Sequence, residues 1–138
     1  MRTERELKVE WLSRSKPLRL RLISLKAVRL ERLSRADYGG ITYGERNGHG
    51  GGNSTEMKYA AILEIDAEIT EIEREMSRIE SEIAEVIDKV RNPKYQAYLR
   101  MRFLAYKTEQ QIAAETNYTY GYINGTIRKK SLDAVKIP

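Results

Sequence analysis

The sequence predicts an all-α protein: an antiparallel helical hairpin or coiled coil followed by a C-terminal helix-turn-helix. Three observations carry that expectation. Residues 62–90 repeat apolar side chains at heptad spacing without a miss, an arginine-rich helical stretch precedes them, and two helix-capping signals around a short turn lie near the end of the chain. Alternating steps of three and four residues hold one stripe on one side of a helix.

In chain order, residues 3–13 read as a short helix that buries Leu7, Trp11 and Leu12. Lys16-Pro17 interrupts it, because proline disfavours helix at the residue before it yet suits the first turn of a new one. Helix 17–36 follows with two apolar seams, Leu18-Leu22-Leu25 and Leu20-Ile23-Ala27-Leu30. Arg19, Arg21, Lys26, Arg29, Arg32 and Arg35 stand between them. One seam can lie on the central helix. The other needs a further surface, either the C-terminal region or a second chain.

Residues 37–55 hold seven of the nine glycines, including Gly50-Gly51-Gly52, and read as a flexible loop. His49, the single histidine, lies there with no other ligand-type residue nearby, so a metal role is not expected. Asn53, three residues before Glu56, reads as the cap of the long helix. The a positions of that helix are Ile62, Ile69, Met76, Ile83 and Val90, and the d positions are Ile65, Ile72, Ile79 and Val86. Its flanks read Asp66, Glu68, Glu73, Glu75, Glu80 and Glu82, then Ile87 and Lys89. A parallel self-pair through this seam would oppose like charges, so the seam should seek a basic helix, and one lies upstream.

The charge is partitioned accordingly. Residues 1–36 carry 11 Lys/Arg against 4 Asp/Glu, residues 56–90 carry 4 against 11, and residues 91–138 carry 9 against 3. The first two segments can neutralise one another and leave the C-terminal segment basic. A basic end on a small domain points to nucleic acid or an acidic membrane, with nucleic acid the commoner case. There are no cysteines, which excludes disulfides and thiolate metal sites and fits a cytoplasmic location. No signal peptide or membrane-spanning run is present, and no membrane partner is expected. Without cysteine, with one histidine and no nucleophile elbow, the chain offers nothing for a triad or metal centre. No enzyme activity and no cofactor are expected.

The organisation expected is a helical region at 1–91, containing the loop 37–55, and a DNA-binding region at 92–138. Asn92-Pro93 stops the long helix and opens another, on which Tyr95, Leu99, Phe103 and Tyr106 mark a buried face. Thr108-Glu-Gln-Gln111 is a capping box for a short helix burying Ile112 and Ala113. Thr116-Asn117-Tyr118 makes the turn, and Asn tolerates a left-handed conformation there. Thr119 caps a last helix with Ile123 and Ile127 inward. Helix, tight turn and second helix at this spacing is the pattern of a helix-turn-helix.

The run Tyr98-Leu-Arg-Met-Arg-Phe-Leu-Ala-Tyr-Lys-Thr-Glu-Gln-Gln-Ile-Ala-Ala-Glu-Thr-Asn-Tyr-Thr resembles the region-4 helix-turn-helix of sigma factors. More closely, the chain resembles phage late-operon transcriptional activators of the ArpU and RinA type. Leu99, Arg102, Phe103, Glu109, Ile112, Ala113 and Ile123 carry the likeness, and the order of basic helix, loop and Glu/Ile-rich helix matches most of the chain. The resemblance implies sequence-specific binding to double-stranded DNA upstream of late genes, in the cytoplasm of a bacterial host.

With Ile123 and Ile127 inward, Gly121, Tyr122, Gly125, Arg128 and Lys129 face outward, with Asn124 at the border. Thr119, Tyr120, Tyr122, Asn124, Gly125, Arg128 and Lys129 are the expected base contacts. Arg100, Lys107, Thr108, Gln110 and Lys130 are the expected phosphate contacts. A homodimer or higher homo-oligomer through helices 17–36 and 56–90 is a further expectation, and RNA polymerase a further partner. A small terminase-like DNA-packaging subunit and a polymerase-binding adaptor are the rival readings.

Overall fold

The computed structural model describes the backbone of residues 1–43 and 48–138, and the side chains of residues 1–36, 56–57 and 59–138. Among these residues every regular element is helical: α1 (Glu4–Leu12), α2 (Lys16–Tyr43), α3 (Gly48–Asp88), α4 (Pro93–Leu99), α5 (Glu109–Thr116), α6 (Tyr120–Tyr122) and α7 (Arg128–Ala134). Two wide π-turns, Arg100–Leu104 and Ile123–Ile127, continue α4 and link α6 to α7. The all-α class therefore holds. No described helix is long and apolar enough to cross a membrane.

The long loop expected at 37–55 is corrected. α2 runs on to Tyr43 and α3 starts at Gly48, so Asn53 lies within α3 and is not its cap. Once a helix is nucleated each further residue adds a hydrogen bond, and that gain can outweigh the cost of roughly 1 kcal/mol for a helical glycine. Residues 44–47, and the His49 side chain, lie outside the described residues.

The chain also divides differently from the boundary expected at residue 91. One compact unit comprises Met1–Lys16 with Ser77–Pro138, and the other comprises Pro17–Met76. In the second unit the heptad stripe of α3 buries Ile62, Ile65, Ile69 and Ile72. On α2, Leu18, Leu22, Leu25 and Leu33 are half-buried and Ala36 is buried, while Leu20, Ile23 and Leu30 are exposed. The flanking charges pair as expected: Arg21 with Glu68 at 2.9 Å, Lys26 with Glu73 at 3.7 Å, and Arg29 with both oxygens of Asp66. All six side chains are at least a third exposed, so these pairs guide register more than they add stability.

The first unit continues the same stripe with Ile79, Ile83, Val86 and Val90 buried, Ile87 joining them off the stripe. Leu12, Leu99, Ile112, Ile123, Ile127, Leu132 and Val135 complete its core. α1 is closed by a capping box between Thr3 and Glu6. Its packing corrects the expected face: Leu7 is exposed and Lys8 is buried, donating from Nζ to the Leu132 carbonyl at 2.9 Å. Arg5 adds a bidentate pair to Asp133, both contacts at 2.8 Å. α1 thus packs against α7, and the long stem of Lys8 supplies the apolar cover while its ammonium satisfies a carbonyl near the helix end. Arg14 stacks over Trp11 at 4.3 Å and reaches Glu82 at 3.0 Å.

Candidate nucleic-acid interface

The local signals at 92–119 are met one by one. The Asn92 side chain accepts the Lys94 N–H at 2.9 Å, with Pro93 in the first turn of α4. Beyond Leu99 the helix widens, and the Ala105 N–H reaches the Arg100 carbonyl five residues back at 3.0 Å. Tyr106 then turns the chain with a positive φ of 59°. Its hydroxyl lies 2.7 Å from the Glu80 carboxylate, to which it donates, and 2.8 Å from Ser15 Oγ, which supplies a second hydrogen bond. This left-handed tyrosine is costly by itself and is held by a half-buried polar network.

Thr108 and Gln111 form the reciprocal capping box of α5, with contacts of 3.2 and 2.8 Å. Asn117 adopts the left-handed conformation, φ 62° and ψ 22°, and Thr119 accepts the Tyr122 N–H at 3.1 Å. Ile112 and Ala113 on α5 and Ile123 and Ile127 beyond the turn are all buried, and α5 packs against the Ile123–Ile127 turn. Between those two isoleucines the helix widens again, and the Arg128 N–H bonds the Ile123 carbonyl. A turn bonded five residues back rotates the side chains beyond it relative to an α-helical wheel, and such turns gather at functional sites. Ser131 and Leu132 are then carried inward behind Ile127.

The widened turn revises the outward face. Tyr120, Gly121, Asn124, Lys129 and Lys130 are exposed, and Asn124 lies fully on this face. A Cβ built at Gly121 or Gly125 would meet nothing within 4 Å, so the space above both glycines is open. Lys129 and Lys130 have no carboxylate partner among the described residues.

Several of the expected contact residues also have partners inside the chain. Arg128 is half-buried, its Nε 3.8 Å from Glu109, and Glu109 also accepts the Tyr98 hydroxyl at 3.1 Å. Arg128, expected as a base contact, thus lies against the carboxylate at the start of α5. Arg100 pairs with Asp88 at 2.8 Å, and Lys107 places both Glu115 oxygens at 2.5 Å. Both expected phosphate contacts thus have a carboxylate neighbour within the chain. The hydroxyls of Thr108 and Thr119 serve their caps, while Gln110 is exposed at the start of α5. Tyr122 is half-buried, holding the Lys94 ammonium at 3.1 Å and packing edge-on to Tyr118 at 5.2 Å. Lys94 lies over both rings, 5.5 and 5.4 Å from their centroids.

Tyr98 and Glu109 matter more to this region than their sequence context indicates. Burial, and then the Glu109 charge and hydrogen bond, push the Tyr98 hydroxyl above its ordinary value of 10. The folded state keeps this proton where the unfolded chain has lost it, so the contribution is complete below pH 10 and decays as pH rises above it. From this group stability falls by about 1.4 kcal/mol per pH unit in that window. Tyr98→Phe should lose the Glu109 bond, at a cost of about 1 kcal/mol at neutral pH. The gap between variant and native chain should then close above pH 10, as read by urea unfolding at a series of pH values.

No described group of three or more His, Cys, Asp or Glu side chains is placed to hold a metal ion. Comparison of the chain with protein-family models, curated proteins and solved structures finds no match.

Proposed function

We propose that the chain is a sequence-specific double-stranded-DNA-binding transcriptional regulator. In this reading α5, the Asn117 turn and the helix from Tyr120 to Ala134 act as a helix-turn-helix, and α2 returns antiparallel on α3 as a helical hairpin. The likeness of residues 98–119 to phage late-operon activators supplies the setting, regulation of phage or prophage genes. One observation carries the reading: Gly121 and Gly125 leave open space on a helix face that also presents Tyr120, Asn124, Lys129 and Lys130. A helix pressed into the major groove needs close backbone approach, an amide that can pair with adenine, and cations for the flanking phosphates. Arg128, through Glu109, acts as a positioning residue that keeps the two helices at their angle.

The glycines provide the test. In a helix each costs roughly 1 kcal/mol relative to alanine, and here alanine meets no internal obstacle. Gly121→Ala with Gly125→Ala should raise stability by about 1–2 kcal/mol in total and weaken binding to a selected DNA duplex by about tenfold. Fluorescence anisotropy beside thermal unfolding reads both. A variant that is stabilised and binds DNA as well as the native chain would contradict the proposed face.

A further inference from the structure

α2 carries an apolar seam that stays exposed among the described residues. Leu20 is 59% exposed, Ile23 50% and Leu30 69%, and Ala27 lies exposed between them. At 100° per residue these four fall within about 80° of one another, some 140° from the face that Leu18, Leu22, Leu25 and Leu33 turn towards α3. Their spacing of three, four and three residues is that of a coiled-coil seam, with Leu20 and Ala27 at a and Ile23 and Leu30 at d. The α3 stripe is already buried, so it is not the surface left for association.

We infer that this seam pairs with the same seam of a second copy, with the two α2 helices parallel and in register. The flanking residues decide the orientation. Lys26 precedes an a position and Glu31 follows a d position, and in a parallel pair each Lys26 falls opposite Glu31 of the other copy. An antiparallel pair that stacks Leu20 on Leu30 would instead set Lys26 against Lys26. Both side chains retain the exposure to make the new contact, 56% for Lys26 and 62% for Glu31, although each has a neighbour within the chain. Ala27 at the centre allows close approach of the two backbones. The seam spans only about 15 Å at 1.5 Å per residue, which makes the dimer weak and concentration-dependent. This inference is separate from the DNA-binding proposal, because its readout is mass and cross-linking.

The chain has no cysteine, so a single introduced thiol reports the register. Full-length Ala27→Cys should oxidise to a disulfide-linked dimer on its own, because in the parallel pair each Ala27 faces its counterpart. Cross-linking only between Ala27→Cys and Ile23→Cys chains would overturn the parallel register. By sedimentation equilibrium the native chain should shift from monomer to dimer with concentration. Ile23→Glu with Leu30→Glu, both at exposed positions, should weaken that association at least about tenfold with unchanged helical circular dichroism. Glu31→Lys should weaken it too, and adding Lys26→Glu should restore it. A native chain that stays monomeric, binds acidic vesicles through this seam, or dimerises equally with both glutamates in place would overturn the inference.

Discussion

If the chain binds duplex DNA as proposed, removing Lys129 and Lys130 together, as Lys129→Ala with Lys130→Ala, should lower that affinity about thirtyfold at physiological salt and flatten the log–log salt dependence by about 1.8. The magnitude follows from two phosphates no longer neutralised, each releasing about 0.9 counterion on binding. The pair is chosen on geometry. Of the cations expected to face DNA, Arg100, Lys107 and Arg128 each have a carboxylate within 4 Å, whereas Lys129 and Lys130 do not among the described residues. Arg100→Ala should cost less, because the native guanidinium must first share or give up Asp88. Both lysines are exposed, so stability should stay within about 0.5 kcal/mol of the native chain. A titration of labelled duplex across a salt series separates this loss from any change in base recognition.

Ile83→Ala destabilises the chain by about 2–5 kcal/mol, a large part of the roughly 5–15 kcal/mol that holds a small domain folded. Ile83 is an a position of the α3 stripe and fully buried in the unit that contains α4 to α7. Deleting three of its carbons removes buried apolar area and leaves a void that close-packed neighbours fill only in part. Leu63→Ala on the same helix is the control: Leu63 is 67% exposed and its truncation should cost no more than about 0.5 kcal/mol. Denaturant unfolding of the two variants reads the contrast.

What could be read from the residues alone was what local physics controls. The α3 stripe was legible because a period of 3.5 leaves few alternatives for a run of isoleucines, and all its a and d positions are buried except the half-buried Met76. The caps at Asn92, Thr108 and Thr119 and the left-handed Asn117 were legible because each satisfies orphan backbone groups within four residues. The pairing of Arg21, Lys26 and Arg29 with acidic positions of α3 followed from charge alone.

The misses came from longer range. Leu7 is exposed and Lys8 buried because α1 packs on α7, more than 120 residues away. Arg128 turned towards Glu109 because the helix widens at Ile123–Ile127, which an α-helical wheel does not register. Lys94 between Tyr118 and Tyr122 has no signal in its own neighbourhood. The glycine-rich stretch misled because composition registers the cost of a helical glycine but not the gain from extending two helices already formed.

Selection from a pool of random DNA duplexes tests the central claim most directly. The native chain should enrich duplexes sharing a short motif. Asn124→Ala should relax the preference at one position of that motif, where an amide–adenine pair would be worth about 1–3 kcal/mol, and Lys129→Ala with Lys130→Ala should weaken retention of every sequence alike. No enriched motif, with retention unchanged by any of these substitutions, would contradict the account.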